Sequence, residues 1–150
     1  MSSAARGRPT GMDEAAAIIA ATDYMTLATA DADGVPWATP VWFAPEGERA
    51  VLWLSRPEAR HSRNLRAQPR LAIAIFDSRV QSEDAAAVYF DAVAEQVDDG
   101  IGTFSAYSLE HGRGEWTHAD ITAPSPLRLY RAEITDRWLL SAGARDRVRF

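Results

Sequence analysis

The chain has 150 residues, 47% hydrophobic and 25% charged, which is the balance of a single globular domain with a real core. Its net charge of −5 argues against wholesale nucleic-acid binding, which depends on neutralising many phosphates. Cysteine and lysine are both absent, which excludes disulfides, thiolate metal sites, a thiol nucleophile, Schiff-base chemistry and a phosphate-loop lysine.

Residues Met1 to Gly11 mix Gly, Pro, Ser and Arg without apolar periodicity and predict a loose arm, leaving residues 12–150 as the domain. The start "MSSAARGRPTGMDEAA" has no apolar core of a signal peptide, and no apolar run reaches the length of a membrane span. The expectation is therefore a cytoplasmic protein. "DEAAAIIAATD" predicts a short helix with acids in its first turn and Ala16, Ile19 and Ala20 on one face. In "YMTLATADADGVPWATPVWF", Asp-Gly between two β-rich runs predicts a hairpin. Pro36 and Pro40 in its second run lack N–H groups, so that strand should lie at an edge, be bulged or open toward a ligand.

After a turn at "APEGER", "AVLWLS" predicts a third strand. Pro57 then suits the first position of a helix running to about Ala67, where Pro69 stops it. "RLAIAIFD" reads as a strand buried on both faces, and "AAVYFDAVAEQVDD" as a fifth strand after the polar link "SRVQSED". Asp98 or Asp99 is placed to cap a helix through "GIGTFSAYSLEHG". Residues 112–126 read as loop, and "LRLYRAEI" with "RWLLSAG" gives one or two closing strands. This order predicts a mainly β, α+β domain: a small antiparallel barrel with helices packed outside, with no internal repeat and no parallel doubly wound sheet.

The densest chemical signal is "SRPEARHSRNLRAQPRL", residues 55–71, with five arginines and a histidine against one acid. On a helix beginning at Pro57, Arg56, Arg60 and Arg63 share one face, beside Ser55 at a strand end and the N–H groups of the helix start. Hydroxyl, guanidinium, imidazole and helix N-terminus together suit a phosphate, although arginines on a short amphipathic helix ordinarily form a solvated face. Leu65 on the opposite side should anchor the helix. His111 and His118, with Glu115 and Asp120, show no three-ligand metal spacing, so no metal is expected. Neither GxSxG nor GxGxxG occurs; "GIG" and "GRG" are too short to count as nucleotide fingerprints. The five tryptophans, at 37, 42, 53, 116 and 138, serve core packing or wall an aromatic ligand, and each needs a partner for its N–H.

Residues 25–77, through "LATADADGVPWATPVWF", "VLWLS" and "EARHSRNLRAQPRLAIAIFD", resemble the pyridoxamine 5'-phosphate oxidase-like FMN-binding split-barrel family. The resemblance rests on Ser55 at a strand end, His61 four residues before Leu65, and the break at Gln68-Pro69. It implies a split β-barrel homodimer with flavin sites at the subunit interface and a small-molecule substrate; the charge balance and the lack of a spanning apolar run add the expectation of no nucleic-acid or membrane partner. The resemblance also implies a flavin phosphate held by Ser55, Arg60 and His61, with Arg56 and Leu54 beside them, and a ring lined by Thr39, Pro40 and Val41. Trp138 and Arg145 match residues that in the family reach the neighbouring subunit's flavin. "GARDRVRF" lacks the histidine of the vitamin B6 oxidase substrate element, which argues against that substrate. The expected function is an FMN-dependent oxidoreductase, with a deazaflavin-dependent reductase or a flavin carrier or sensor without turnover as alternatives. No catalytic acid or base stands out.

Overall fold

In the computed structural model, which describes residues 11–150, helix α1 (Gly11–Ala21) carries the acids Asp13 and Glu14 in its first turn. The arm expected over Met1 to Gly11 lies outside the described residues except for Gly11, which opens α1. Ala15 is the buried residue of α1, with Ile18 and Ile19 packed on the core, so its apolar face is turned one residue from the one predicted.

The predicted hairpin forms from β1 (Tyr24–Ala30) and β2 (Pro36–Trp42), in register from Tyr24 opposite Trp42 to Ala30 opposite Pro36. Asp31 Oδ1 closes its turn by accepting the backbone N–H groups of Asp33 and Val35, both at 2.9 Å. Then come β3 (Ala44–Glu46), β4 (Ala50–Ser55), α2 (Arg60–Ala67), β5 (Arg70–Phe76), β6 (Ala87–Val97), α3 (Ile101–Glu110), β7 (Arg128–Leu140) and β8 (Val148–Arg149). All pairings are antiparallel, in the order β2-β1-β5-β6-β7-β4-β3, with β8 on the far end of β7. The ladder does not close: β2 ends it on one side and β3 on the other, and β2 approaches β4 without pairing to it. Curling puts the apolar faces inside while Pro36 and Pro40 keep β2 as an edge. The result is a split barrel with helices outside. No helix among the described residues is long and apolar enough to cross a membrane.

The strand buried on both faces is β4, not β5. Val51 and Trp53 enter the barrel core, Trp53 stacking on Tyr130 at 5.6 Å, while Leu52 enters a second cluster with Phe104, Ile121 and Leu129 under α3. β5 alternates instead, with Leu71, Ile73 and Ile75 buried and Ala72 and Phe76 facing out. Its run of apolar residues concealed a period of two because the outward positions are alanine and phenylalanine rather than polar.

Two further expectations change, and a third is narrowed. α2 starts at Arg60, three residues later than Pro57, because residues 57–59 form a turn. The N-cap of α3 is Gly100 at φ 99°, not an aspartate; Asp99 pairs with Arg131, whose guanidinium also grips Glu46 at 2.7 Å. The closing segment is a single 13-residue strand with Thr135 bulged out, its hydroxyl donating to Asp91 O.

Candidate functional site

A cleft of about 460 Å³ opens at the split of the barrel, where the free edge of β2 faces the end of β4. Thr39, Pro40, Val41 and Trp42 line one wall, and Leu54, Ser55 and His61 line the opposite one. Tyr24, Phe104, Trp116, Leu127 and Arg113 complete the lining. The resemblance-implied residues Thr39, Pro40, Val41, Leu54, Ser55 and His61 are thus brought together. Arg56 and Arg60 are not in the lining, and neither are Trp138 and Arg145. Trp138 lies ten residues along β7 from Arg128, the partner of Ser55 in the ladder, or about 30 Å at the rise of a β-strand.

Ser55 ends β4 with its side chain inward and buried, and His61 enters from the first turn of α2. Their Oγ and Nε2 atoms are 2.5 Å apart. Burial pushes the His61 pKa below its ordinary value, so the imidazole is neutral at neutral pH. When Nε2 carries the proton it donates to Ser55 Oγ, which leaves the serine O–H free to donate to a ligand. This end of the cleft is a hydrogen-bonding end without formal charge.

α2 separates its side chains sharply. His61, Ser62, Asn64 and Leu65 are buried, and Asn64 Nδ2 donates to Thr29 Oγ1 at 3.0 Å, tying the helix to β1. The arginines point away: Arg60 stacks on the Trp37 ring at 4.2 Å, and Arg66 donates to Pro57 O. The face shared by Arg56, Arg60 and Arg63 on a helix from Pro57 does not form, because Arg56 precedes the turn that delays the helix.

The cation that does line the cleft is Arg113, in a segment read from the sequence as plain loop. Its guanidinium lies 5.7 Å from the Trp42 ring and 5.9 Å from that of Tyr24. The one usable signal was "GRG" just after a predicted helix, since glycine past a helix end marks a left-handed cap that fixes the next residue. The tryptophan requirement is met in part. Trp116 Nε1 donates to Ser108 Oγ at 3.0 Å, whereas the buried indole N–H groups of Trp42, whose ring lies in the cleft wall, and Trp53, in the core, have no partner among the described residues. An aromatic wall, a neutral hydroxyl–imidazole end and one guanidinium together fit a flat aromatic ligand bearing an anionic group.

No group of acidic, histidine or cysteine residues suited to a metal occurs among the described residues. A family model described as "Pyridoxamine 5'-phosphate oxidase" matches residues 12–139. A heme binding protein from Mycobacterium smegmatis is 26% identical with a TM-score of 0.74; the alignment covers 95% of this chain but only 59% of that protein. HutZ, the heme storage protein from Vibrio cholerae, is 23% identical with a TM-score of 0.68, over 87% of this chain and 94% of the other. An F420 reductase is 22% identical with a TM-score of 0.56, over 76% and 87%. No curated protein matches the sequence.

Proposed function

This chain belongs to the pyridoxamine 5'-phosphate oxidase family, and from that premise we propose that it is an FMN-binding oxidoreductase acting on a small organic substrate. The observation that carries the reading is the cleft at the barrel split, where six residues that the family resemblance assigns to the flavin line one space. Thr39, Pro40 and Val41 would lie along the ring, with Trp42 and Trp116 as aromatic walls. Ser55, its oxygen accepting from His61, would donate its O–H to an oxygen at the other end. When bound, the flavin supplies hydride chemistry that the side chains lack, and the protein's share is to orient it and exclude water. Trp138 and Arg145, far along the chain from the cleft, would serve the site of a second subunit. Phe76, 51% exposed on the outer face of β5, supports such a homodimer, since covering it removes apolar surface from water.

The F420 reductase of the same fold supports a second reading, a deazaflavin coenzyme in the same cleft. A heme is less well served, because an axial histidine is wanted and the cleft's own histidine has Nε2 engaged by Ser55.

The test is the visible spectrum of the purified protein, followed by titration with FMN, deazaflavin coenzyme and heme. Saturable binding of FMN, weakened about tenfold or more in Ser55→Ala by loss of a hydrogen bond to a charged group, is the expected result. Tight binding of heme alone would overturn it. FMN-loaded protein that oxidises NADH or NADPH no faster than free FMN would leave a carrier or sensor in place of an enzyme.

A further inference from the structure

Resting on the flavin reading of this cleft, we infer that Arg113 is its anion-recognising residue, holding a phosphate monoester or carboxylate of the bound molecule. The arginine-rich start of α2 does not supply that charge to the lining. Among the described residues the lining contains no aspartate or glutamate and, with His61 neutral, a single cation, in a protein whose net charge is −5. An anion entering the cleft therefore meets Arg113 and no opposing carboxylate.

Arg113 is placed by the backbone rather than left to wander. Helix α3 ends with Gly112 at φ 68°, and the Gly112 N–H donates to Leu109 O at 3.1 Å while the Arg113 N–H donates to Ser108 O at 2.8 Å. These are the two bonds of a Schellman cap, which fixes the direction in which the next side chain leaves. Beyond it, the Trp116 N–H donates to Ser105 Oγ at 2.8 Å, so the segment is sewn back onto α3 at both ends. The guanidinium makes no ion pair with any described residue, Glu110 and Glu115 included. Contact with aromatic ring faces leaves its N–H fork free, which is the geometry that grips two oxygens at once.

The test uses phenyl phosphate and phenol as probes, with calorimetric titration of wild type, Arg113→Gln, Arg113→Lys and Arg60→Gln. Arg113 is exposed, so the variants should fold. We expect phenyl phosphate to bind wild type more tightly than phenol and to weaken about tenfold or more in Arg113→Gln. Arg113→Lys should fall between, and Arg60→Gln should match wild type. FMN and riboflavin, titrated alongside, identify the source of the anion. Loss of the FMN preference in Arg113→Gln assigns the flavin phosphate; an unchanged preference with phenyl phosphate still lost assigns an anionic substrate, and either supports the inference. Phenyl phosphate binding that is equal in Arg113→Gln and wild type, or lost in Arg60→Gln instead, overturns it. Arg113-dependent phenyl phosphate binding without FMN binding would sink the flavin reading and leave this one standing.

Discussion

The two walls of the cleft handle charge in opposite ways. On the α2 side, a segment with five arginines turns a neutral, hydrogen-bonded face inward, His61 on Ser55 and Asn64 on Thr29, and sends Arg60 and Arg66 outward. On the α3 side, a stretch with a single arginine between glycines brings that one cation into the lining. Abundance of charge in a sequence thus does not locate charge in a site. Burial of an unpaired guanidinium is costly, so a helix that must pack against a barrel exports its arginines, whereas a capped loop at the rim can present one while keeping it hydrated.

The strongest way to break the α2 wall is to remove its anchor. Leu65→Ala, at a site only 5% exposed, should destabilise the fold by about 2–5 kcal/mol in denaturant unfolding. A smaller effect would mean that Asn64, rather than apolar packing, holds the helix. Next is the α3 wall: Gly112→Ala forces a side chain into the left-handed region and should cost about 1–2 kcal/mol in the same assay while loosening the placement of Arg113.

The pH dependence sharpens the neutral end. Because the His61 pKa is lowered on folding from an ordinary value of 6.5, the unfolded chain binds the proton more readily. Its contribution to stability is full above about pH 6.5 and is lost as pH falls through the folded-state pKa. Unfolding midpoints measured across that range should fall on acidification, and His61→Gln should flatten the slope; an unflattened slope would place the titration elsewhere. The smallest effect belongs to Arg60→Ala, which removes an exposed cation–π contact with Trp37 and should change stability by no more than about 1 kcal/mol.

Much of the fold was legible because local rules and tertiary packing agree. Asp-Gly placed the hairpin, the two prolines made β2 an edge, and Pro69 ended α2. What misled was local propensity without its context. Pro57 fits a helix start, but the chain turns once more before Arg60, and that displacement dissolved the three-arginine face. β4 and β5 exchanged roles because both are apolar in sequence; only the position of α3 over β4 decides which is covered twice. Of the cleft lining, Ser55 and His61 stood out from the strand-end and helix-start pattern, whereas Thr39, Pro40 and Val41 were named only through the family resemblance. Arg113 could not be named, because it reaches the cleft across the tertiary fold, from a cap whose partners lie in α3.

The tryptophans allow the most direct test, since their five indole rings sit in different places: Trp42 and Trp116 lining the cleft, Trp53 in the core, Trp37 under Arg60 and Trp138 far along β7. Titrating nitrogen-15-labelled protein with FMN and following the five indole N–H resonances, we expect those of Trp42 and Trp116 to shift at saturation, with Trp138 following if a second subunit completes the site. A shift at Trp37 with Trp42 and Trp116 unmoved would place the ligand on the arginine-bearing outside of α2 and contradict the account.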